Sequence, residues 1–491
     1  LEFPPQADSV LKTESALSAF PVIRPAKIRQ LLQPDKRMKI IILGAGQVGS
    51  SVLASLASEA NDIVVVDTQP ALLKSLQDRF DIGTVQGNAA HPTVLQRAGA
   101  AEADMLIAAT SDDETNMLAC QIADILFKVP RKIARVRAIE YTAFPGLCSP
   151  ETIPIDVVIS PEQIITQFIE RLLDYPGASQ VLDFAEGRVR LVSVRAIKGG
   201  PLVEHEIREL HEHMPNVPAR IAAIFRKGQP IVPNGKTIIE DGDEVFFLAS
   251  GDEIKDVMSE LRKTEKPYKR LIFAGGGHVG KRVALALENR YQVKVIERDR
   301  RRAEKIAGDL ANTVVLAGDA TDKELLLNEN IENTDVFCAI TNSDEANILS
   351  SMLAKRLGAR RTISLVNKNA YADIVDGSLI DLVISPHQAT IGALLRYIRR
   401  GDIVQVYSLR HGASEAIEAV AHGKPGKSKV VGIPIHQIKI PQGVVMGALV
   451  RGEEVIHVHR DTVIEEGDHV IMFLIDKKLI PTVEQLFQPE E

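Results

Sequence analysis

Residues 38–49 read MKIIILGAGQVG. Lys39–Leu43 has the length and β-branched content of a buried strand. Gly44, Gly46 and Gly49 follow it at GxGxxG spacing. In such a turn the first glycine permits the tight bend, the second lets a phosphate approach the backbone, and the third lets a helix pack close to the strand. Val48, Val52, Leu53 and Leu56 then recur at helical spacing. The helix start offers unpaired N–H groups and a positive dipole end to an anion, through Gly44, Ala45, Gly46, Gln47, Val48 and Gly49.

The next apolar run, IVVVD, ends at Asp67, 18 residues beyond the last glycine (49 to 67). A carboxylate there accepts hydrogen bonds from both ribose hydroxyls and repels a 2′-phosphate. It favours NAD⁺/NADH or an adenosine nucleotide over NADP.

The pattern occurs twice. LGAGQVGS (Leu43–Ser50) returns as AGGGHVGK (Ala274–Lys281), QGNA (Gln86–Ala89) as AGDA (Ala317–Ala320), and TSDDETNMLA (Thr110–Ala119) as TNSDEANILS (Thr341–Ser350), all at an offset of 231 (44 to 275). ISPEQ (Ile159–Gln163) matches ISPHQ (Ile384–Gln388), and DGDEVFFL (Asp241–Leu248) matches EGDHVIMF (Glu466–Phe473), at 225 (159 to 384). A period this long means duplication of a two-domain unit rather than a solenoid. The second glycine turn is Gly275, Gly276, Gly277, His278, Val279 and Gly280, and its acid is Glu297.

Within each half, IIIL, IVVVD, IGTVQG, MLIAAT and KIARVR alternate with helical patterns, which predicts a doubly wound, Rossmann-like α/β domain. A strand-rich zone follows, with VRLVSVRA, ARIAAIFRKG and TIIEDGDEVFFLAS alternating apolar and polar residues around Gly turns, and reads as a small α+β domain. The expected division is a leader or non-native remnant over 1–37, α/β domains over 38–176 and 266–401, and small domains over 177–265 and 402–491.

Ligands of such sheets lie off the carboxyl ends of the strands. That places Gly87, Asn88, Ala89, Thr110 and Arg135 beside the first glycine turn, and Gly318, Asp319, Ala320 and Thr341 beside the second. Asn88 and Asp319 are expected at the adenine edge, and Thr110 and Thr341 near phosphate or ribose. Arg135 is expected to meet either a phosphate or a surface carboxylate. Leu365 stands where a second arginine would be, so the two sites differ.

The other chemistry-bearing residues point elsewhere. A net charge of −7 with no Trp disfavours nucleic-acid binding. Cys120, Cys148 and Cys338 are too scattered for a disulfide framework or a metal knot, and Cys120 and Cys338 sit in apolar stretches that read as core. His205, His211 and His213 lack HExxH spacing, and His457 and His459 alternate along a strand without further ligands. The basic run Arg298–Arg302 reads as a solvated helix start, with a phosphate role as the other reading. No apolar run is long enough to span a bilayer. Nor does any proton-transfer pair stand out beside the glycine turns, so catalytic residues are not expected.

MKIIILGAGQVG, the tandem AGGGHVG, the TSDDETNMLAC/TNSDEANILSS pair and the DGDEV/EGDHV turns together resemble the TrkA family, the tandem RCK (KTN) regulatory subunits of bacterial Trk-type potassium uptake systems. The resemblance covers nearly everything from Met38 onward. It implies a cytoplasmic regulator, peripheral on the inner face of the cell inner membrane, that assembles as a homo-oligomeric ring beneath a membrane K⁺ transporter subunit of the TrkH or TrkG type. It also implies NAD⁺/NADH as ligand, with ATP or ADP in related proteins. Two rival readings are an NAD-dependent dehydrogenase and a nucleotide sensor with a non-transport partner.

Overall fold

A computed structural model of the chain describes residues 37–57, 61–142, 144, 146–149, 151–215, 217, 219–368, 371, 380–398, 402–409, 413–456 and 458–488. The leader and His457 lie outside them. The chain divides into two compact units at Ser160/Pro161.

The first unit is one α/β domain. Its strands are β1 (Lys39–Leu43), β2 (Asp62–Asp67), β3 (Gly83–Gln86), β4 (Met105–Ala108), β5 (Arg131–Arg135) and β6 (Val157–Ile159), and its main helices are α1 (Gln47–Leu56), α2 (Pro70–Gln77), α3 (Pro92–Arg97) and α4 (Asp113–Phe127). The sheet order is β3-β2-β1-β4-β5-β6, with every pair parallel. Order reverses between β1 and β4, and the crevice at that reversal, off the carboxyl ends, is where doubly wound sheets bind ligands. The central strands are apolar throughout because helices cover both faces: Ile40, Ile41, Ile42 and Leu43 are all buried.

The second unit repeats this domain and adds the two strand-rich lobes. β12 (Arg270–Ala274), β13 (Gln292–Glu297), β14 (Val314–Ala317), β15 (Val336–Ala339), β16 (Arg361–Leu365) and β17 (Leu382–Ile384) form a parallel sheet of order β14-β13-β12-β15-β16-β17. With it go α9 (His278–Leu287), α10 (Arg300–Asp309), α11 (Lys323–Asn328) and α12 (Asp344–Arg356). The first lobe is an antiparallel sheet of β7 (Ala178–Phe184), β8 (Val189–Arg195), β9 (Arg220–Arg226), β10 (Gln229–Ile231) and β11 (Glu244–Ser250), in the order β10-β9-β11-β8-β7, closed by α7 (Glu209–His213) and α8 (Ile254–Leu261). The second lobe has β18 (Ile403–Leu409), β19 (Ser414–Val420), β20 (Val444–Arg451), β21 (Glu454–Ile456) and β22 (His469–Leu474), in the order β18-β19-β22-β20-β21. The fold is therefore a tandem Rossmann-like sheet with a small α+β lobe after each copy.

Helix α6 (Pro161–Asp174) buries Ile165, Ile169, Leu172 and Leu173, a stripe at helical spacing. These side chains join Val283, Ala284 and Leu287 of α9 in one core with the first lobe. The helix falls within the domain expected over 38–176, yet its apolar face belongs to the second unit.

The two lobe sheets stack face to face. Phe184, Phe225 and Phe246 of the first share a core with Leu409, Ala416 and Phe473 of the second. The Phe225–Phe246 and Phe246–Phe473 ring centroids are each 5.6 Å apart, within the range of favourable offset and edge contacts. The GD turn of each lobe is held from inside. Asp243 accepts from Arg226 Nε and Nη2 at 2.9 Å, and Asp468 accepts from Arg451 Nε and Nη2 at 2.8 Å. Both carboxylates are buried, and a bidentate guanidinium satisfies them. The DGDEV and EGDHV repeats are thus structural.

Candidate functional site

The glycine turns adopt one geometry twice. Gly44 and Gly275 have φ of +103° and +111°, a region that glycine enters without steric cost. A Cβ at Gly49 would sit 1.8 Å from the carbonyl oxygen of Gly44, and one at Gly280 would sit 1.9 Å from that of Gly275. Only glycine fits there. The middle glycines differ: a Cβ at Gly46 or Gly277 would meet nothing within 4 Å. Each is the N-cap of its helix and provides no side-chain cap, so no side chain covers the orphan amides of the first turn. This open cradle of amides fits a phosphate group. Gln47 and His278 are exposed at the helix starts, while Val48 and Val279 are partly buried.

The acids close each turn from the neighbouring strand. Asp67 Oδ2 accepts from Ala45 N at 2.6 Å, and its Oδ1 accepts from Gln69 N at 2.8 Å. Glu297 Oε2 accepts from Gly276 N at 2.9 Å, and its Oε1 accepts from Asp299 N at 2.8 Å. Each carboxylate therefore ties the glycine turn to the turn after its own strand. Its remaining lone pairs are what a ribose would use.

Electrostatics differ between the copies. Arg302 Nη1 lies 3.6 Å from Glu297 Oε1, and Arg298 Nε lies 3.8 Å from Asp319 Oδ2. Thr68 and Gln69 follow Asp67 where Arg298 and Asp299 follow Glu297. The basic run thus faces the second site's acids as well as opening α10. Asp319 accepts from Thr321 N at 2.9 Å and Thr321 Oγ1 at 2.7 Å, and these bonds hold its carboxyl below the usual range. Asn88 makes the matching turn, accepting from Ala90 N at 2.8 Å. Both residues are exposed, whereas Ala89 is buried and Ala320 half-buried.

Thr110 and Thr341 do not end their strands as expected: β4 stops at Ala108 and β15 at Ala339, both threonines lie two residues beyond, and their hydroxyls are engaged inward. Thr110 Oγ1 donates to Asn116 Oδ1 at 2.7 Å, and Thr341 Oγ1 donates to Asn347 Oδ1 at 2.6 Å. The asparagines were not among the sequence candidates. Each is fully buried on its helix, accepts from the threonine N–H, and donates through Nδ2 to the last carbonyl of the next strand, Arg135 O at 2.9 Å or Leu365 O at 2.8 Å. Asp113 and Asp344, buried one turn earlier, accept from Arg137 N and Ala138 N, and from Asn367 N and Lys368 N. The signal was present: the same polar Asp and Asn recur at both copies of TSDDETN/TNSDEAN.

The other candidates take plain roles. Cys120 and Cys338 are buried free thiols, and desolvation pushes both far above the ordinary thiol range. His205 pairs with Glu209 and His213 with Glu260, each at 2.8 Å. No cluster of three or more metal-binding side chains occurs among the described residues. No helix among them is long and apolar enough to cross a membrane.

The TrkA-N domain model matches residues 40–161 and 271–386, and the TrkA-C domain model matches 191–262 and 425–487. The Trk system potassium uptake protein TrkA of Vibrio alginolyticus is 55% identical over 453 residues, which is 92% of this chain and 99% of the relative. The chain belongs to the TrkA family. The TrkA of Haemophilus influenzae is 49% identical over the same shares. The crystal structure of the GsuK RCK domain has a TM-score of 0.59 at 17% identity, covering 93% of this chain and 96% of that one. The GsuK channel bound to NAD also scores 0.59, covering 94% and 82%. Both share the TrkA fold, and the glycine turns described above lie inside the two TrkA-N matches.

Proposed function

We propose that this chain is the nucleotide-sensing regulatory subunit of a Trk-type potassium uptake system, and not an enzyme. The observation that carries the reading is the pair of open cradles at Gly46 and Gly277, each with a carboxylate one strand away. NAD⁺ or NADH is the proposed ligand, with ATP or ADP as alternatives. Phosphates would sit on the Gly44–Gly49 and Gly275–Gly280 amides, and the ribose on Asp67 or Glu297. The relatives named for potassium uptake support the transport role, and the NAD-bound GsuK channel supports the ligand class. The partner would be a membrane K⁺ transporter subunit of the TrkH or TrkG type. This chain would lie on its cytoplasmic side as a homo-oligomeric ring, with domain limits near 38–176, 177–265, 266–401 and 402–491.

A nucleotide that binds one arrangement of these domains more tightly shifts the gate by that difference alone. A tenfold preference at one site is worth about 1.4 kcal/mol, and several sites in one assembly add up. The deciding experiment is K⁺ flux through the reconstituted complex with each nucleotide. A change in flux that disappears in Gly46→Asp/Gly277→Asp supports the reading. Equal flux with and without saturating nucleotide defeats it.

A further inference from the structure

A cavity of about 820 Å³ opens inside the second unit, between the first lobe and the second Rossmann-like sheet. That volume suits a small-molecule ligand. Its walls come from the edges of β7 and β8, the chain after α8, the end of α12, and β17 with the helix start behind it. Six cations line it: Arg195, Arg262, Lys355, Arg356, Arg360 and Arg361. Three acids do: Glu244, Glu265 and Asp381. The excess is positive, in a chain whose overall charge is negative.

The pairing leaves particular charges over. Lys355 meets Asp381 at 2.7 Å, Arg360 meets Glu265 at 2.9 Å, and Arg262 also donates to Glu265. Glu244 stands opposite Arg195 in the β8–β11 register. Arg356, exposed at the end of α12, has no side-chain hydrogen-bond or ion-pair partner among the described residues. Arg361 is buried, and it donates to neutral oxygens, the Tyr268 hydroxyl at 3.1 Å and the Ala178 carbonyl. A buried guanidinium without a counter-charge is costly, and an anion arriving beside it removes that cost.

Buried polar atoms point the same way. Arg262 Nε and Ser385 Oγ belong to cavity-lining residues, and neither has a hydrogen-bond partner among the described residues. Such orphans are rare in folded proteins and mark places where another group is needed. The guanidinium and the hydroxyl are donors suited to phosphate oxygens.

We infer that this cavity is a second kind of ligand site, distinct from the glycine turns, that takes a small phosphate-bearing anion and clamps the first lobe to the second Rossmann-like sheet. Calorimetric titration of the full chain with inorganic pyrophosphate tests it. The titration would be run on wild type, on Gly46→Asp/Gly277→Asp, and on that double variant with Arg356→Glu added. Gly46 and Gly277 have room for the new side chains, whose carboxylates remove pyrophosphate from the glycine turns. Binding is expected to survive in the double variant and to fall about tenfold or more when Arg356→Glu is added. Ser385→Ala in the double-variant background is expected to weaken binding about three- to tenfold with no loss of thermal stability, because its hydroxyl has no partner among the described residues. Absence of binding in the double variant, or binding indifferent to Arg356→Glu, would overturn the assignment.

Discussion

Asn116 Nδ2 donates to the carbonyl of Arg135 at 2.9 Å while its Oδ1 holds the N–H and hydroxyl of Thr110. One buried amide thus fastens the carboxyl ends of β4 and β5, and Asn347 does the same for Thr341 and Leu365. Asn116→Ala strands the Thr110 N–H and the Arg135 carbonyl. The first domain is expected to lose about 2–4 kcal/mol. Urea unfolding of the variant checks this, and an unchanged midpoint would refute the clamp.

The glycines of one turn separate by role. Gly49→Ala drives a methyl into the Gly44 carbonyl at 1.8 Å, so the turn must open, at a cost of about 3 kcal/mol. Both stability and nucleotide affinity should fall. Gly46→Ala meets no atom within 4 Å, and its φ of −68° is ordinary for alanine. Stability should hold there while nucleotide affinity drops, as read by thermal melting alongside equilibrium binding.

Asp67 carries two duties, holding Ala45 N and Gln69 N as well as the proposed ribose. Asp67→Asn keeps one acceptor oxygen and removes the charge. NADH affinity is expected to fall about tenfold, while NADPH, relieved of repulsion against its 2′-phosphate, should fall less or improve. Parallel titrations with the two dinucleotides give the ratio. A ratio equal to that of wild type would show that the carboxylate does not read the ribose.

Glu345, in the first turn of α12, is held at about 2 by its own backbone N–H, by Lys368 and by Ser343. A depressed carboxyl stabilises the fold above its unfolded value, near 4.3. That contribution disappears as pH falls from there through about 2. Carboxyl NMR should show Glu345 still ionised at pH 3, and Lys368→Ala should move its titration upward. A Glu345 midpoint near the ordinary value in the intact chain would contradict the contact.

Phe473 is fully buried where the two lobe sheets meet. Phe473→Ala should cost about 3–5 kcal/mol, visible as a lower denaturation midpoint of the second unit. A surface-like change below about 0.5 kcal/mol would mean that the sheets do not depend on this ring.

Local pattern was enough for much of this. IIIL, IVVVD, MLIAAT and KIARVR are strands because apolar runs bounded by turns have few other fates, and the GxGxxG turn followed because its first and third glycines answer specific steric demands. The duplication supplied the second copy at once. What stayed hidden was choice of partner. The stripe Ile165–Leu173 says that α6 buries a face but not against which helix, and alternating strands do not say which sheet covers them. Asn116 and Asp113 were hidden for another reason: a buried polar residue in a helix reads from sequence as an exposed one until its acceptors, distant along the chain, are in place.

The stacked lobes have one further consequence. Both sheets are carried by the same polypeptide, so their union is a first-order event with a built-in effective concentration. Dilution that would part a dimer of separate copies leaves this pair together, and the chain arrives at any larger assembly with one of its joints already made.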